Sequence, residues 1–527
     1  MGSGFFMCSI HGRSGNIMTK SLMIQGTGSG VGKSIIVAGL CRIFCDRGIK
    51  VAPFKAQNMA LNSFITNDGG EIGRAQAYQA EAARIEPSVD MNPVLLKATG
   101  EAGCQVILNG KVHRNMQAQE YYAYKEHAWD AVTEAYARLS KNYDLIVIEG
   151  AGSPAEINLA NDEVVNMSVA RHANAPVLLV GDIDKGGVFA SLYGTIALLD
   201  KDADYIKAFI INKFRGDLDI LKPGLTMIHE KTGRPVLGVV PYLGDLGLHE
   251  EDGIPLERLW WSGHGKNAGP KIKVVVVRLR YISNFTDFDP FQYEPDVELV
   301  YSLRDADIEH ADLVIIPGSK NTVQDLLFLR ESGIEASIKR VMEKGIPLVG
   351  VCGGYQMLGK KIFDPNGIEG PYQEIDGLGL LDVETIFDRV KTTCQVEATA
   401  VQSSEFRFRS GDTKTLKGYE IHMGRTVGDI GLFNMKRRAP VAELRTQDSE
   451  LTLDGSQKGN VWGTYIHGIF DNDAFRRGMI NVLRVKRGFA PVEDVTDFAK
   501  ARDAALDKWA DVLRESIDMR FIQELIK

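Results

Sequence analysis

The chain has 527 residues, long enough for two or more domains, and its 44% hydrophobic and 25% charged content is that of an ordinary globular protein. A net charge of −8 argues against a general nucleic-acid or anionic-membrane binder. Six scattered cysteines without a CxxC pair argue against a zinc site or disulfide framework, and no run approaches the ~20 apolar residues of a membrane span.

Residues 1–19 lack a signal-peptide core and read as a disordered leader, with Met18 a candidate start. The reading is a cytoplasmic protein without nucleic-acid or membrane partners. The first strand is "SLMIQ", followed by the loop "GTGSGVGKS" and the amphipathic helix 33–47. A Gly-rich loop between strand and helix aims backbone N–H groups and a helix N-terminus at an anion. Gly26, Thr27, Gly28, Ser29, Gly30, Val31 and Gly32 form the predicted phosphate cradle. Lys33 is assigned to the β/γ-phosphates and Ser34 to Mg²⁺.

Apolar strands at 22–24, 145–148, 177–180, 208–211 and 236–240 alternate with helices such as 120–140, which predicts a parallel sheet covered on both faces. Their ends carry chemistry. "EGAG" places Glu149 at the sheet edge as a second Mg²⁺ ligand. "GDIDKGG" offers Asp182, Asp184 and Lys185 to an acyl phosphate or substrate, and "INKFRGD" offers Asn212 to the adenine.

The Gly- and charge-rich stretch 244–270 reads as a linker. A second α/β pattern then begins at "KIKVVVVRL". "PLVGVCGGYQ" is strand, sharp turn and helix, with Cys352 at a nucleophile elbow. His467 in "WGTYIHGIF" is the expected base, with His422 in "GYEIHMG" its competitor. The backbone N–H groups of Gly318 and Gly353 are candidate oxyanion donors. From about residue 486 the chain reads as a charged helical segment.

The phosphate loop has one more residue than the common spacing, and in this it resembles dethiobiotin synthetase and its relatives. That resemblance implies a Mg-ATP site with Glu149 and, by position, Lys55, and an enzyme that activates a carboxylate with ATP. The Cys352 elbow resembles class I glutamine amidotransferases, in which the cysteine attacks the glutamine side-chain amide. Gln356 then matches a position near bound glutamine. That family commonly has His-Pro-Glu, whereas this chain has His467-Gly468-Ile469, so no third triad member is assigned.

"PFKAQNMALNS" and "DGGEIGRAQAYQAEAA" narrow the resemblance to the cobyric acid synthase family. It implies an amide ligase domain over 20–243, a glutamine amidotransferase domain over 271–485 and a helical segment over 486–527. The implied reaction is amidation of the b, d, e and g carboxylates of adenosylcobyrinic acid a,c-diamide with ATP, Mg²⁺ and glutamine. Glu420 and His422 are then expected near the corrin. Two alternatives are a cobyrinic acid a,c-diamide synthase and a phosphate-loop switch ATPase with a vestigial glutaminase domain.

Overall fold

The fold is described from a computed structural model over residues 19–98, 103–158, 163–244, 269–401, 415–438 and 451–527. The expected leader, save Thr19, and most of the expected linker lie outside these residues. Among the described residues no helix is long and apolar enough to cross a membrane.

Two six-stranded α/β sheets organise the chain. In the first, the order is 236–241, 206–214, 177–182, 20–26, 145–149, 51–54, and every pairing is parallel. The five apolar runs of the sequence all become strands here, because a strand buried on both faces needs no polar alternation. The strand Val51–Phe54 was not anticipated; it closes the edge beside Leu145–Glu149. Parallel registry brings the carboxyl ends of Lys20–Gly26 and Leu145–Glu149 together, with Ile24 opposite Glu149.

The second sheet runs 297–302, 272–277, 313–316, 348–351, 461–464, 456–458, with only the last pairing antiparallel. A third sheet is built on the long hairpin Val383–Ala400 and Leu416–Gly428, which periodicity did not reveal. A four-stranded sheet of Gln57–Met59, Val94–Ala98, Gly103–Leu108 and Lys111–Gln117 flanks the first domain.

The C-terminal helix Phe498–Ser516 folds back onto the first domain. Trp509 Nε1 donates to the Ile35 carbonyl at 2.6 Å, and Arg42 pairs with Asp503 and Asp507. The helix Lys33–Asp46 is thereby covered on both sides, which explains its near-continuous burial from Lys33 to Phe44. Gly39 permits this approach, since a Cβ there would sit 2.3 Å from Leu513 Cδ1.

Residues 284–285 and the hairpin close the two halves on each other. Asn284 Oδ1 accepts from the Ser63 backbone N–H at 3.1 Å, and Asn62 Oδ1 accepts from that of Phe285 at 3.0 Å. Lys391 and Lys97 both pair with buried Glu71, at 2.6 and 2.9 Å. Burial would raise the Glu71 carboxyl, but the two ammonium groups hold it well below the usual carboxylate range.

Candidate active sites

At the first centre, Gly26 ends its strand and the chain wraps through Gly32 (φ +93°) into the helix. A Cβ at Gly32 would lie 2.3 Å from Asn212 Nδ2, so only glycine fits this turn. Asn212 donates that same amide to the Val31 carbonyl at 2.8 Å. In this geometry it braces the loop. Its neighbour Lys213, in a left-handed conformation (φ +63°), donates to the Gly30 carbonyl at 2.6 Å.

Lys33 Nζ donates to the Gly28 and Gly152 carbonyls at 2.8 and 3.2 Å, so it joins the phosphate loop to the loop after Glu149. Ser34 Oγ donates to Glu149 Oε1 at 2.8 Å, and Lys55 Nζ reaches the same oxygen at 2.7 Å. The predicted Ser34, Glu149 and Lys55 therefore meet. Gln76 and Gln79 donate to the other carboxylate oxygen at 3.3 and 2.5 Å. Both lie on the helix Arg74–Ala82, three residues apart and so on one face. They were quoted within a motif but given no role. Burial would raise the Glu149 carboxyl, but Lys55 and the donors from Lys55, Gln79 and Ser34 hold it below its usual value.

Among the described residues no group of three or more His, Cys, Asp or Glu side chains could hold a metal. One carboxylate with one hydroxyl nevertheless fits Mg²⁺, which keeps water and phosphate oxygens as its remaining ligands. Asp182 is buried, accepts from the Asp184 backbone N–H at 2.9 Å and lies 3.5 Å from Lys213. Asp184 pairs with Arg215 at 3.3 Å. Lys185 is exposed, and its ammonium faces Gly30 of the loop.

At the second centre, Cys352 sits between the strand Leu348–Val351 and the helix Gly353–Leu358 with φ +51° and ψ −108°. A β-carbon side chain in this region is strained, as expected of a nucleophile elbow. The turn is possible because Gly354 packs against the Ile316 carbonyl, where a Cβ would lie at 2.0 Å. The Gly318–Ser319 turn abuts Gly353, whose Cβ would meet the Ser319 backbone nitrogen at 2.8 Å. The two predicted oxyanion donors thus lie on adjoining turns. Gln356 lines the same pocket, accepting from Thr322 Oγ1 at 3.0 Å and donating to Tyr465 at 3.1 Å.

The third triad member exists, at a place the His-Pro-Glu pattern does not search. His467 Nδ1 lies 2.6 Å from Asp287 Oδ2, a residue 180 positions earlier. Asp287 also accepts from the Gly468 backbone N–H at 3.2 Å, so the carboxylate fixes both ring and turn. Burial would lower the His467 pKa, but the charges of Asp287 and Cys352 and the Asp287 hydrogen bond push it up to about 10. This surrounding favours the protonated ring at neutral pH.

His422 and Glu420 lie on the strand Leu416–Gly428, beside the second centre. Glu420 is buried and pairs with Arg437 at 2.6 Å. His422 stacks on Tyr465 with ring centres 3.9 Å apart and lines the Cys352 pocket. His422 thus lines the thiol pocket, with Glu420 Oε1 3.2 Å from its Nε2. That pocket also takes Lys97, Gln105 and Asn115 from the first domain.

Two family models match: a CobQ/CobB/MinD/ParA nucleotide binding domain over residues 22–256 and a CobB/CobQ-like glutamine amidotransferase domain over residues 273–475. The cobyric acid synthase of Thermodesulfovibrio yellowstonii is 49% identical over 508 residues, covering 96% of this chain and 99% of that protein. The chain belongs to the cobyric acid synthase family. Family members from Caldanaerobacter subterraneus and Dehalococcoides mccartyi are each 47% identical over 97% of this chain and 99% of their own length. The family match runs through both centres in a single α/β chain, a nucleotide-binding half followed by an amidotransferase half.

Proposed function

We propose that the chain is a glutamine-hydrolysing carboxylate-amide ligase of cobalamin biosynthesis. It converts the b, d, e and g carboxylates of adenosylcobyrinic acid a,c-diamide to amides, giving adenosylcobyric acid. The observation that carries this reading is the Cys352 pocket, whose wall includes Lys97, Gln105 and Asn115 of the nucleotide-binding half. A thiol centre walled by the ATP-using domain is placed to deliver its product there.

In the second domain, Cys352 sulfur attacks the glutamine side-chain carbonyl carbon. Gly318 and Gly353 N–H groups hold the oxyanion. His467, protonated and oriented by Asp287, gives its proton to the departing nitrogen, so the C–N bond breaks and ammonia leaves. The neutral ring then takes a proton from water as it attacks the thioester, and glutamate departs. Gln356 orients the glutamine.

In the first domain, the loop from Gly26 to Gly32 and the Lys33 ammonium hold the ATP phosphates. Lys55 and Lys185 stabilise the phosphoryl group as it passes to a corrin carboxylate. Ser34 and Glu149 would hold Mg²⁺, which neutralises phosphate charge. Ammonia attacks the acyl phosphate carbon, and phosphate leaves. ATP supplies the leaving group that a carboxylate lacks, and the glutaminase supplies the neutral ammonia that is scarce near neutral pH.

Incubating the full chain with ATP, Mg²⁺, glutamine and adenosylcobyrinic acid a,c-diamide tests this. The expected result is stepwise replacement of OH by NH₂, read by mass. Product from cobyrinic acid alone would overturn the reading in favour of an a,c-diamide synthase.

A further inference from the structure

A cavity of about 470 Å³ lies beside the loop that follows Glu149, outside both catalytic constellations. Its walls come from the strands Gln57–Met59, Val94–Ala98 and Gly103–Leu108, the helix Ala118–Ser140, the loop that follows Glu149 and residues 163–166. The lining is mainly apolar, and two of its side chains are large and exposed, Met59 at 67% and Tyr122 at 41%. Exposed apolar side chains converging in a concavity of this size mark a ligand site. A second, more open cavity of about 910 Å³ shares Tyr122, Lys125, Glu163 and Val164 with it, so the two form one extended cleft along the helix.

We propose that this cleft seats the corrin macrocycle, with Met59 and Tyr122 against its face. The inference rests on the amide-ligase reading and adds where the large substrate binds. Three observations favour this occupant. The cleft wall includes Ala151 and Ser153, and Lys33 donates to the Gly152 carbonyl between them at 3.2 Å. A ring seated here therefore turns its rim towards the phosphates. Lys125, stacked 4.0 Å over Tyr122, places a cation beside a substrate that carries several carboxylates. In the smaller cavity both acids are engaged with backbone: Glu163 accepts from the Val165, Asn166 and Ser168 N–H groups, and Glu156 from that of Ser153, while Glu126 and Asp130 are exposed in the open part, where Arg171 and His172 also line the wall.

The apolar floor also suits the chemistry. The same acyl-phosphate site must receive carboxylates from different edges of one ring. Directional hydrogen bonds would fix a single orientation, whereas an apolar face holds a flat macrocycle with little preference for its rotation. The ring can be re-seated between rounds on the same surface.

The test compares Met59→Asp, Tyr122→Asp and the apolar control Met59→Leu in the full chain, measuring KM for adenosylcobyrinic acid a,c-diamide, ATP and glutamine. Each Asp places a charge under an apolar ring face, so the corrin KM should rise at least about tenfold. The KM values for ATP and glutamine should move less than about twofold, and Met59→Leu should keep the corrin KM near that of the parent. Both side chains are exposed, and circular dichroism of each variant reports whether it folds as the parent does. An unchanged corrin KM in both folded Asp variants, or an equal rise in all three KM values, overturns the cleft. If the parent chain amidates no corrin, the functional reading fails, and the cleft falls with it.

Discussion

The two centres solve opposite electrostatic problems with the same device, a buried ion pair. At the phosphate loop, Lys55 keeps the Glu149 carboxylate charged despite burial. At the thiol, Asp287 keeps the His467 imidazole charged despite burial. A carboxylate that is to hold Mg²⁺ must stay deprotonated, and an imidazole that is to give up a proton must first hold one. Each partner carries the sign its task excludes. The centres also differ in how they are assembled. The phosphate loop, Ser34 and Glu149 come from two neighbouring parallel strands and the turns that leave them. The thiol centre joins residues 287, 352 and 467, brought together only when the whole domain closes.

Removing the charge that meets the phosphates breaks the first centre most directly. Lys33→Ala should lower amidation by at least about 10³-fold with either glutamine or ammonium as nitrogen source, measured as amide formed per enzyme. Cys352→Ser should abolish glutamine-dependent amidation while leaving ammonium-dependent amidation in place. The pair of variants separates the centres, because only one of them is rescued by a nitrogen source that bypasses the thiol.

Asp287→Asn sharpens the comparison. It should lower glutaminase kcat by about 10²-fold or more, since the ring loses both its orientation and its charge partner. The sign of the pH effect follows from the raised His467 pKa. In the parent, the imidazolium persists until pH rises through about 10. Without the carboxylate, burial favours the neutral ring, so the alkaline limb of the glutaminase profile should move to lower pH. The same pair contributes stability in full below the ordinary histidine value and loses it as pH climbs through about 10.

Glu149→Gln should be costly in another way. It leaves Lys55 buried beside a neutral amide, a loss of about 3–5 kcal/mol for a broken buried pair, seen as a lower unfolding temperature together with weakened ATP use. The parent's Glu149 term has the opposite pH sense to that of His467. It is present above the unfolded carboxyl value and is lost as pH falls through the depressed folded value. Trp509→Ala has the smallest effect on chemistry. It removes a side chain packed on the helix that carries Lys33 and should lower stability by about 3–5 kcal/mol, with the KM for glutamine unchanged.

The same contrast explains what the sequence made legible. The phosphate loop, Glu149 and the Cys352 elbow each sit at a strand end followed by closely spaced glycines, a local pattern that needs no tertiary knowledge. Gln76 and Gln79 were within reach, since their three-residue spacing gives one helical face, but nothing in that spacing says which carboxylate they meet. Asp287 had no local signal. It lies in the "NFTDFDP" stretch, read as neither strand nor elbow, and its role depends on a contact 180 residues away. The shortened His467-Gly468 turn was visible as a departure, and the structure supplies its physical counterpart: an acid from the start of the domain replaces one from the end. The hairpin strands Val383–Ala400 and Leu416–Gly428 escaped notice because the alternately buried positions of the first include Thr385, Cys394 and Ala398, which carry little hydrophobic signal. The C-terminal helix was recognised as a helix, while its docking on the first domain was not, because amphipathicity names a buried face without naming its partner.

The central claim is that two separately charged centres in one chain serve one amidation. The most direct test follows amide formation on adenosylcobyrinic acid a,c-diamide by mass in Cys352→Ser, with ATP and either glutamine or ammonium. The account predicts no product with glutamine and stepwise amidation with ammonium. Equal product from both nitrogen sources, or none from either in a folded variant that still binds ATP, would contradict it.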